Sequence, residues 1–162
     1  MDESTFNTLY TDIAKPLWKY VAHVSGRNDI ADDVLQEVFF RFLRSSRIGL
    51  SNAEARLYLF RIATNLLNDR WRKREDVGRR KAEEPFIEGH LEEALDAAWV
   101  LRQLKPRARQ LLWFAYVEGM SHSEIAQATG LNRMSVRILL LRARRQARAF
   151  LELKGGTDGK LP

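Results

Sequence analysis

Apolar residues recur every three or four positions along most of the chain, which is the spacing of one face of an α-helix. The strict alternation of apolar and polar residues that marks a half-buried strand is rare. The first apolar stripe consists of Phe6, Leu9, Tyr10, Ile13, Leu17 and Val21. Pro16 falls inside it, so we expect this helix to kink or break near Lys15. The pattern as a whole predicts an all-α fold.

A second helix is predicted after a short glycine-containing turn. Asp29 is its expected N-cap, because a short side-chain oxygen can accept from the first free backbone N–H groups, and the helix should end near Arg44. Residues 45–52 then form a predicted loop, with Ser51 or Asn52 as the capping residue of the next helix.

A long third helix is predicted over residues 53–74, and its last turns are strongly basic. The segment that follows contains two Gly and one Pro, and its charge changes from basic to acidic. The sequence therefore predicts two small helical domains joined by a short flexible linker. The expected boundaries are 1–75 for the first domain, 76–91 for the linker, 92–152 for the second domain and 153–162 for a disordered tail.

The aromatic residues of the third helix have two interpretations. Tyr58, Phe60 and Trp71 lie beside arginines, as do the aromatic side chains that stack unpaired bases in single-stranded nucleic acid. At helical spacing they are more often part of a core. Composition alone favours the core and leaves the stacking interpretation open.

The second domain begins with a helix near Glu92, followed by a helix over residues 107–118 that ends at Gly119. A helix-turn-helix is predicted next, between Met120 and Arg148. Ser121 and Glu124 have the spacing of a capping box at its first helix, Gly130 ends that helix, and Asn132 caps the second. A small residue, a glycine and an apolar residue stand at the offsets that a tight interhelical turn requires, namely Ala126, Gly130 and Val136.

The second helix of this motif is the predicted DNA reader. Residues near the start of such a helix usually reach base edges, and later ones reach the phosphates. The expected base contacts are Arg133, Ser135, Arg137 and Ile138, and further outward candidates are Leu141, Arg142, Arg144 and Arg145, of which the arginines mainly reach phosphates. The alternative is a plain helical hairpin with a solvated basic face.

Charge supports a polyanionic partner. The chain has a net charge of +6, and residues 99–162 hold twelve Lys and Arg against four Asp and Glu, a net of +8. There is no cysteine, no apolar run of the roughly 20 residues that a membrane span needs, and no signal-peptide pattern at the N-terminus. A cytoplasmic location is therefore expected. The three histidines lie in separate segments, so neither a metal site nor a cofactor or catalytic site is predicted.

Three segments in this order resemble the group IV, or extracytoplasmic-function (ECF), sigma factors of the bacterial sigma-70 family. They are DDVLQEVF (residues 32–39), YLFRIATN (58–65, followed by Asp69 and Arg70) and LKPRAR (104–109), which leads into the helix-turn-helix. The first domain is similar to sigma region 2, and the second is similar to region 4.

The resemblance implies a subunit that binds core RNA polymerase through its β′ clamp helices and β flap and recognises two promoter elements. Positions that match the polymerase-binding helix are Asp33, Gln36, Glu37 and Phe40. Positions that match the part that holds the melted, single-stranded −10 element are Arg61, Asn65 and Asn68, with phosphate contacts from Arg70, Arg72, Lys73 and Arg74. The loop over residues 45–52 matches the same part. The helix-turn-helix would read the −35 element as duplex DNA.

The chain departs from the family pattern at several positions. Tyr58 replaces the usual Trp, and Ala55 stands where an aromatic is common. In the reader helix, Met134, Ile138 and Leu139 replace smaller, polar or basic residues, so the −35 sequence cannot be carried over from the family. The run from Ile138 to Leu141 also gives the helix an apolar surface, which has two interpretations, a wider internal core or a site covered by an anti-sigma factor.

Other function classes remain as alternatives. A stand-alone transcriptional regulator would share the helix-turn-helix, but it would need neither the acidic second helix nor the basic third helix. An enzyme is disfavoured because no phosphate-binding glycine loop or metal-ligand spacing occurs. An interaction adaptor that has lost DNA binding would not need the arginines of the reader helix.

Overall fold

The protein is described by a computed structural model that covers residues 2–45, 47, 49–77 and 91–157. These residues form seven α-helices and no strand, in agreement with the predicted all-α fold. The helices are α1 (Glu3–Ser25), α2 (Asn28–Arg44), α3 (Asn52–Val77), α4 (Leu91–Gln103), α5 (Pro106–Tyr116), α6 (His122–Thr129) and α7 (Arg133–Thr157). Most of the linker predicted over 76–91 lies outside the described residues, and its first two residues complete α3.

The first two helices differ from the predictions in two ways. α1 continues through Pro16, so the break expected near Lys15 does not occur, and the helix ends at Ser25 with Gly26, whose φ of 72° is left-handed, as its C-cap. Arg27, not Asp29, is the N-cap of α2, and its side chain makes no capping bond. Asp29 lies in the first turn instead, where its carboxylate accepts from Nε of Arg27 at 2.9 Å. An acidic side chain there suits the positive end of the helix dipole without capping it.

Two helix ends in the second half also differ from the prediction. α5 ends at Tyr116 rather than near Glu118, and Gly119, with φ of 63°, lies in the turn that follows. α7 continues to Thr157, so the first five residues of the predicted disordered tail are helical. Residues 158–162 lie outside the described part of the chain.

The first three helices pack around a mainly apolar core. Its fully buried side chains include Leu17 and Val21 of α1, Val38 of α2 and Leu59 of α3. This burial follows the helical periodicity of the sequence. Phe60 is also fully buried, and Trp71 is half-buried against the same core, so the core interpretation of both aromatics is confirmed. Tyr58 is half-buried beside Phe42, with ring centroids 6.0 Å apart.

The two halves of the chain share a buried aromatic cluster. Tyr20 of α1 stacks on Phe114 of α5, with centroids 4.6 Å apart, and Phe60 meets the same ring edge-on at 5.5 Å. All three side chains are fully buried. The hydroxyl groups of Tyr20 and Thr64 lie 2.7 Å apart and form a hydrogen bond inside this cluster. The second half is therefore packed onto the first in this structure.

Candidate nucleic-acid interface

The helix-turn-helix has the local geometry that the sequence predicted. The Ser121 hydroxyl accepts from the Glu124 backbone N–H at 3.1 Å, and the Glu124 carboxylate accepts from the Ser121 N–H at 3.0 Å. Gly130 ends α6 with a φ of 81°. Asn132 Oδ1 accepts from the Ser135 N–H at 2.8 Å and so caps α7, while Val136 is fully buried in the elbow. Together these features fix the start of α7 relative to α6.

The face of α7 that points away from the core is basic. Its exposed members from the predicted reader set are Arg133, Arg137, Ile138, Leu141, Arg142, Arg144 and Arg145. Ser135 is half-buried, and Arg144 donates from Nε to the hydroxyl of Tyr116 at 2.6 Å. The opposite face, with Leu140 and Ala143 buried, packs on the core. The structure thus brings the predicted reader residues onto one accessible helix.

The apolar positions of α7 divide between the core and the surface. Leu139 is half-buried and packs against the core, which agrees with the wider-core interpretation. Met134 and Ile138 are instead 64% and 44% exposed, and Leu141 is 46% exposed. Exposed apolar side chains on a basic helix suit contact with thymine methyl groups or with a protein surface.

The predicted −10 contacts of α3 lie where α3 meets the second half of the chain. Arg61 donates from Nη1 to the backbone carbonyl of Gln127 at 3.2 Å. Asn68 Oδ1 accepts from Nε2 of the fully buried Gln110 at 3.1 Å. Asn65 is exposed. Two of the three predicted strand contacts are therefore engaged with α5 and α6 in this structure.

A cleft of about 700 Å³ opens beside these residues. It is lined by Arg41, Asn65, Asn68, Asp69, Trp71, Arg72, Pro106 and Arg107. Arg41 and Arg107 were not predicted from the sequence as site residues. Arg41 lies one helical turn after Glu37 on α2, but the approach of Arg107 depends on the packing of α5, which no local pattern encodes.

The basic end of α3 is only partly free of acidic partners. Arg72 forms an ion pair with Asp69, and Arg70 Nη2 lies 4.0 Å from Asp33 Oδ2 of α2. Lys73 is exposed and Arg74 is half-buried. The contact between Arg70 and Asp33 joins the predicted phosphate-binding residues to the predicted polymerase-binding residues.

The predicted polymerase-binding residues of α2 lie on one accessible surface. Asp33 and Gln36 are exposed, and the Glu37 carboxylate accepts from Arg41 Nε at 2.8 Å. Phe40 is 54% exposed, with the Arg44 guanidinium 5.4 Å from its ring centroid. Leu43, which is 57% exposed and was not predicted, enlarges the same apolar surface. Its separation from Phe40 by three positions on a helix was the available signal.

Two further basic groups lie close to the interface. Arg47, in the loop before α3, places its guanidinium 4.2 Å from the ring centroid of Tyr58. Arg56 of α3 forms an ion pair with Glu118, whose side chain is only 6% exposed. The loop arginine was within the segment that the sequence analysis associated with the −10 element, but its contact with Tyr58 was not predicted.

His23 lies against an aromatic side chain of the second half of the chain. Among the described residues, no three His, Asp or Glu side chains cluster in a way that would hold a metal ion. His23 instead stacks on Trp113 with centroids 4.7 Å apart, and its Nδ1 lies 2.8 Å from the Lys19 carbonyl. Burial lowers the pKa of His23 below its usual 6.5, and the contact with the carbonyl opposes that shift. Within the described ranges, no helix is long and apolar enough to cross a membrane.

Sequence comparisons identify both halves. The sequence model of Sigma-70 region 2 matches residues 9–77, and that of Sigma-70 region 4 matches residues 100–146. ECF RNA polymerase sigma factor SigL of Mycobacterium tuberculosis is 29% identical over 166 positions that cover 96% of this chain and 94% of SigL. ECF RNA polymerase sigma factor SigE of Mycolicibacterium smegmatis is 30% identical over 161 positions. The chain belongs to the ECF group of the sigma-70 family.

The family resemblance stated from the sequence is thereby confirmed, and these relatives are named as sigma factors rather than as enzymes. The match covers 91% of this chain but 62% of the length of SigE. Among solved structures, the sigma factor RpoE of Bartonella quintana, crystallised with the anti-sigma factor NepR, has the same fold with a TM-score of 0.74. Its sequence is 21% identical, and the alignment covers 91% of this sigma factor and 97% of RpoE.

Proposed function

We propose that this sigma factor binds core RNA polymerase and directs it to promoters by reading a −10 and a −35 element. One observation carries the proposal. A single chain of the family presents three chemically distinct surfaces in order, an acidic and apolar face on α2, the basic end of α3 and the basic outer face of α7. A stand-alone regulator would need only the last of these surfaces.

The α2 surface is proposed to bind the β′ clamp helices of the polymerase. Phe40 and Leu43 supply exposed apolar area, and Asp33 and Glu37 surround it with negative charge. Buried apolar anchors with a charged rim are typical of protein interfaces of this kind. By the same reasoning the second domain, with its exposed Tyr116 and Val117, is proposed to meet the β flap.

The outer face of α7 is proposed to read the −35 element in the major groove. Arg133 and Arg137 are exposed near the start of the helix, where side chains reach base edges, and guanidinium groups pair bidentately with guanine. Exposed Ile138 suits a thymine methyl group. Arg142, Arg144 and Arg145 follow at positions that suit phosphate contacts.

The exposed apolar residues of α7 also support an anti-sigma factor as a proposed partner. Met134, Ile138 and Leu141 form an apolar surface that duplex DNA would use only in part. A protein that covers these side chains would also cover the reader arginines between them. Such a partner would compete directly with the −35 element.

The −10 element is proposed to bind along α3 as a melted strand. Arg61, Asn65 and Asn68 would hold unstacked bases, and Arg70, Arg72, Lys73 and Arg74 would hold phosphates. The Arg47 guanidinium lies close to the half-buried Tyr58 ring. This proximity supports a role for the loop before α3 in binding the strand. Removing one phosphate contact should make the plot of log binding constant against log salt concentration less steep by about one unit.

The proposed polymerase contact is tested by the double variant Asp33→Lys with Glu37→Lys. Its affinity for purified core polymerase, measured by fluorescence anisotropy of the labelled sigma factor, should fall at least about tenfold because both charges at the rim are reversed. The control variant Glu3→Lys with Asp12→Lys carries the same change of charge on exposed positions of α1 and should bind as the wild type does. Equal core affinity of all three proteins, with unchanged circular dichroism, would overturn the assigned contact.

A further inference from the structure

Met134 lies in the first turn of α7 and is largely exposed. Its side chain is 64% exposed, although the flexible thioether chain of a methionine would suit a gap in the core. Asn132 caps the helix just before it, and the cap accepts from the Ser135 N–H just after it at 2.8 Å. The backbone on both sides of Met134 is therefore held in place, and a large apolar side chain is presented to solvent from a defined position.

The outward position of Met134 follows from the buried residues on the opposite face of α7. Val136, Leu140 and Ala143 are buried and pack the helix on the core. At about 100° per residue, Met134 and Ile138 each lie about 200° around the helix from Val136. They are one turn apart, so they form a single apolar column that faces away from the core.

Exposed arginines lie on both sides of this apolar column. Arg137 lies about 100° from Ile138 on one side, and Arg142 lies about 40° from it on the other. When such a helix enters a major groove, its most outward column meets the floor of the groove. The flanking arginines reach base edges beside that column or the phosphates of the groove walls. Met134 and Ile138 thus hold the two central positions of the reader face.

The group in the major groove that suits an apolar side chain is the C5-methyl group of thymine. The other base edges present hydrogen-bond donors and acceptors, which an apolar side chain would remove from water without pairing them. In zinc fingers, side chains three or four positions apart on the reader helix contact successive base pairs. The spacing of Met134 and Ile138 therefore suits thymine methyl groups on two neighbouring base pairs.

We infer that Met134 is a specificity-determining residue of the −35 contact and reads a thymine methyl group next to the one read by Ile138. The −35 element of this sigma factor should therefore contain two adjacent A·T base pairs. Met134 is one of the positions at which the chain departs from the family pattern, so this contact is particular to this chain. The inference rests on the proposed reading of the −35 element by α7.

Selection by the holoenzyme and removal of single methyl groups test the inference. The holoenzyme, formed from purified core polymerase and the full-length protein, selects from a library of random-sequence duplexes, and sequencing identifies the enriched −35 element. Each thymine of that element is then replaced singly by deoxyuridine, which lacks the C5-methyl group and keeps the pairing edge. At two adjacent base pairs the affinity should fall about fourfold, the value of one buried methyl group, and elsewhere it should fall less than about twofold.

Variants of the two apolar residues assign each methyl group to its reader. In Met134→Ala, deoxyuridine at one of the two base pairs should no longer lower the affinity, while the other base pair keeps its effect. Ile138→Ala should show the reverse pattern, because each variant removes one partner of one contact. Leu151→Ala is the matched control, since Leu151 is 50% exposed near the end of α7 and lies outside the reader set. It should keep both methyl effects.

Two results would overturn the inference. One is an enriched element without adjacent A·T base pairs, and the other is a pair of deoxyuridine effects that persists unchanged in Met134→Ala. The second result would leave the exposed Met134 surface to a protein partner. Either result leaves the proposed function intact, because an element would still be enriched by the holoenzyme. A holoenzyme that enriches no −35 element would instead contradict the proposed function, and the inference with it.

Discussion

The guanidinium of Arg109 donates from Nη1 to the carbonyl oxygen of Val24 at 2.9 Å, and so joins the start of α5 to the end of α1. Nε donates to the Leu104 carbonyl at 2.8 Å, and Nη2 donates to the Arg102 carbonyl at 3.1 Å. All three acceptors lie in the last turn of a helix or just beyond it, where carbonyls lack intrahelical donors. Burial lowers the pKa of Arg109, but these carbonyls favour the charged guanidinium. One side chain thus fastens region 4 to region 2.

Replacing Arg109 should destabilise the packed arrangement. Arg109→Met removes three charge-assisted hydrogen bonds and leaves their acceptors unpaired, so we expect a loss of about 2–4 kcal/mol in the free energy of unfolding. Urea denaturation followed by circular dichroism measures it. Arg148→Met, at an exposed position of α7, is the matched control and should change stability by less than about 0.5 kcal/mol. Similar losses in both variants would contradict the assigned role.

The buried hydroxyl pair of Tyr20 and Thr64 should behave as a coupled unit. Tyr20→Phe leaves the Thr64 hydroxyl without its partner inside the core and should cost about 1–2 kcal/mol. The double variant Tyr20→Phe with Thr64→Val removes both polar groups, and its loss should be smaller than the sum of the two single losses. A double-mutant cycle by urea denaturation measures this coupling. Strictly additive losses would show that the hydrogen bond contributes nothing.

Acid should weaken the contact between α1 and α5 through His23. Because burial lowers the folded-state pKa of His23, the unfolded chain binds more protons than the folded chain below the ordinary pKa of 6.5. The contribution of neutral His23 is fully present above pH 6.5 and is lost as the pH falls from there through the folded-state pKa. His23→Phe keeps a ring against Trp113, so stability should depend less on pH between 7 and 5. Equal pH profiles of the variant and the wild type would refute the effect.

Part of the requirement for glycine at position 130 should come from the neighbouring Arg61 side chain. Gly130→Ala places a Cβ atom against the Arg61 guanidinium and also strains a residue whose φ is +81°, which costs about 1–2 kcal/mol for a side chain. In an Arg61→Ala background the clash disappears and the backbone strain remains. The loss of stability caused by Gly130→Ala should therefore be smaller in that background. Equal losses in the two backgrounds would show that the requirement for glycine at position 130 comes entirely from its backbone conformation.

Local patterns predicted the parts of the structure that depend on neighbouring residues. The capping box of Ser121 and Glu124, the end of α6 at Gly130 and the cap at Asn132 involve residues within a few positions of one another, and all were correct. The prediction of Asp29 as the N-cap of α2 was wrong because an N-cap needs a particular backbone conformation as well as a hydrogen-bond acceptor. Pro16 was overestimated as a helix breaker because the packing of both flanking segments holds α1 in one piece.

The packing of the halves could not be predicted in the same way. Arg61 meets Gln127 across 66 positions of sequence, and Gly130 has a second role there that its place at a helix end did not suggest. The sequence assigned Arg61 to DNA from family resemblance alone. Its partner on α6 follows from how α3 and α6 are oriented, and that orientation depends on the aromatic cluster around Phe114. Long-range contacts of this kind depend on many side chains at once.

This sigma factor is proposed to give core RNA polymerase the ability to start transcription at specific promoters. The most direct measurement is run-off transcription with purified core polymerase on a library of genomic fragments, with and without the protein. We expect discrete transcripts that require the protein and disappear in the Asp33→Lys, Glu37→Lys variant. Binding of the protein to duplex DNA without association with core polymerase, and without any new transcript, would contradict the account and favour a stand-alone regulator.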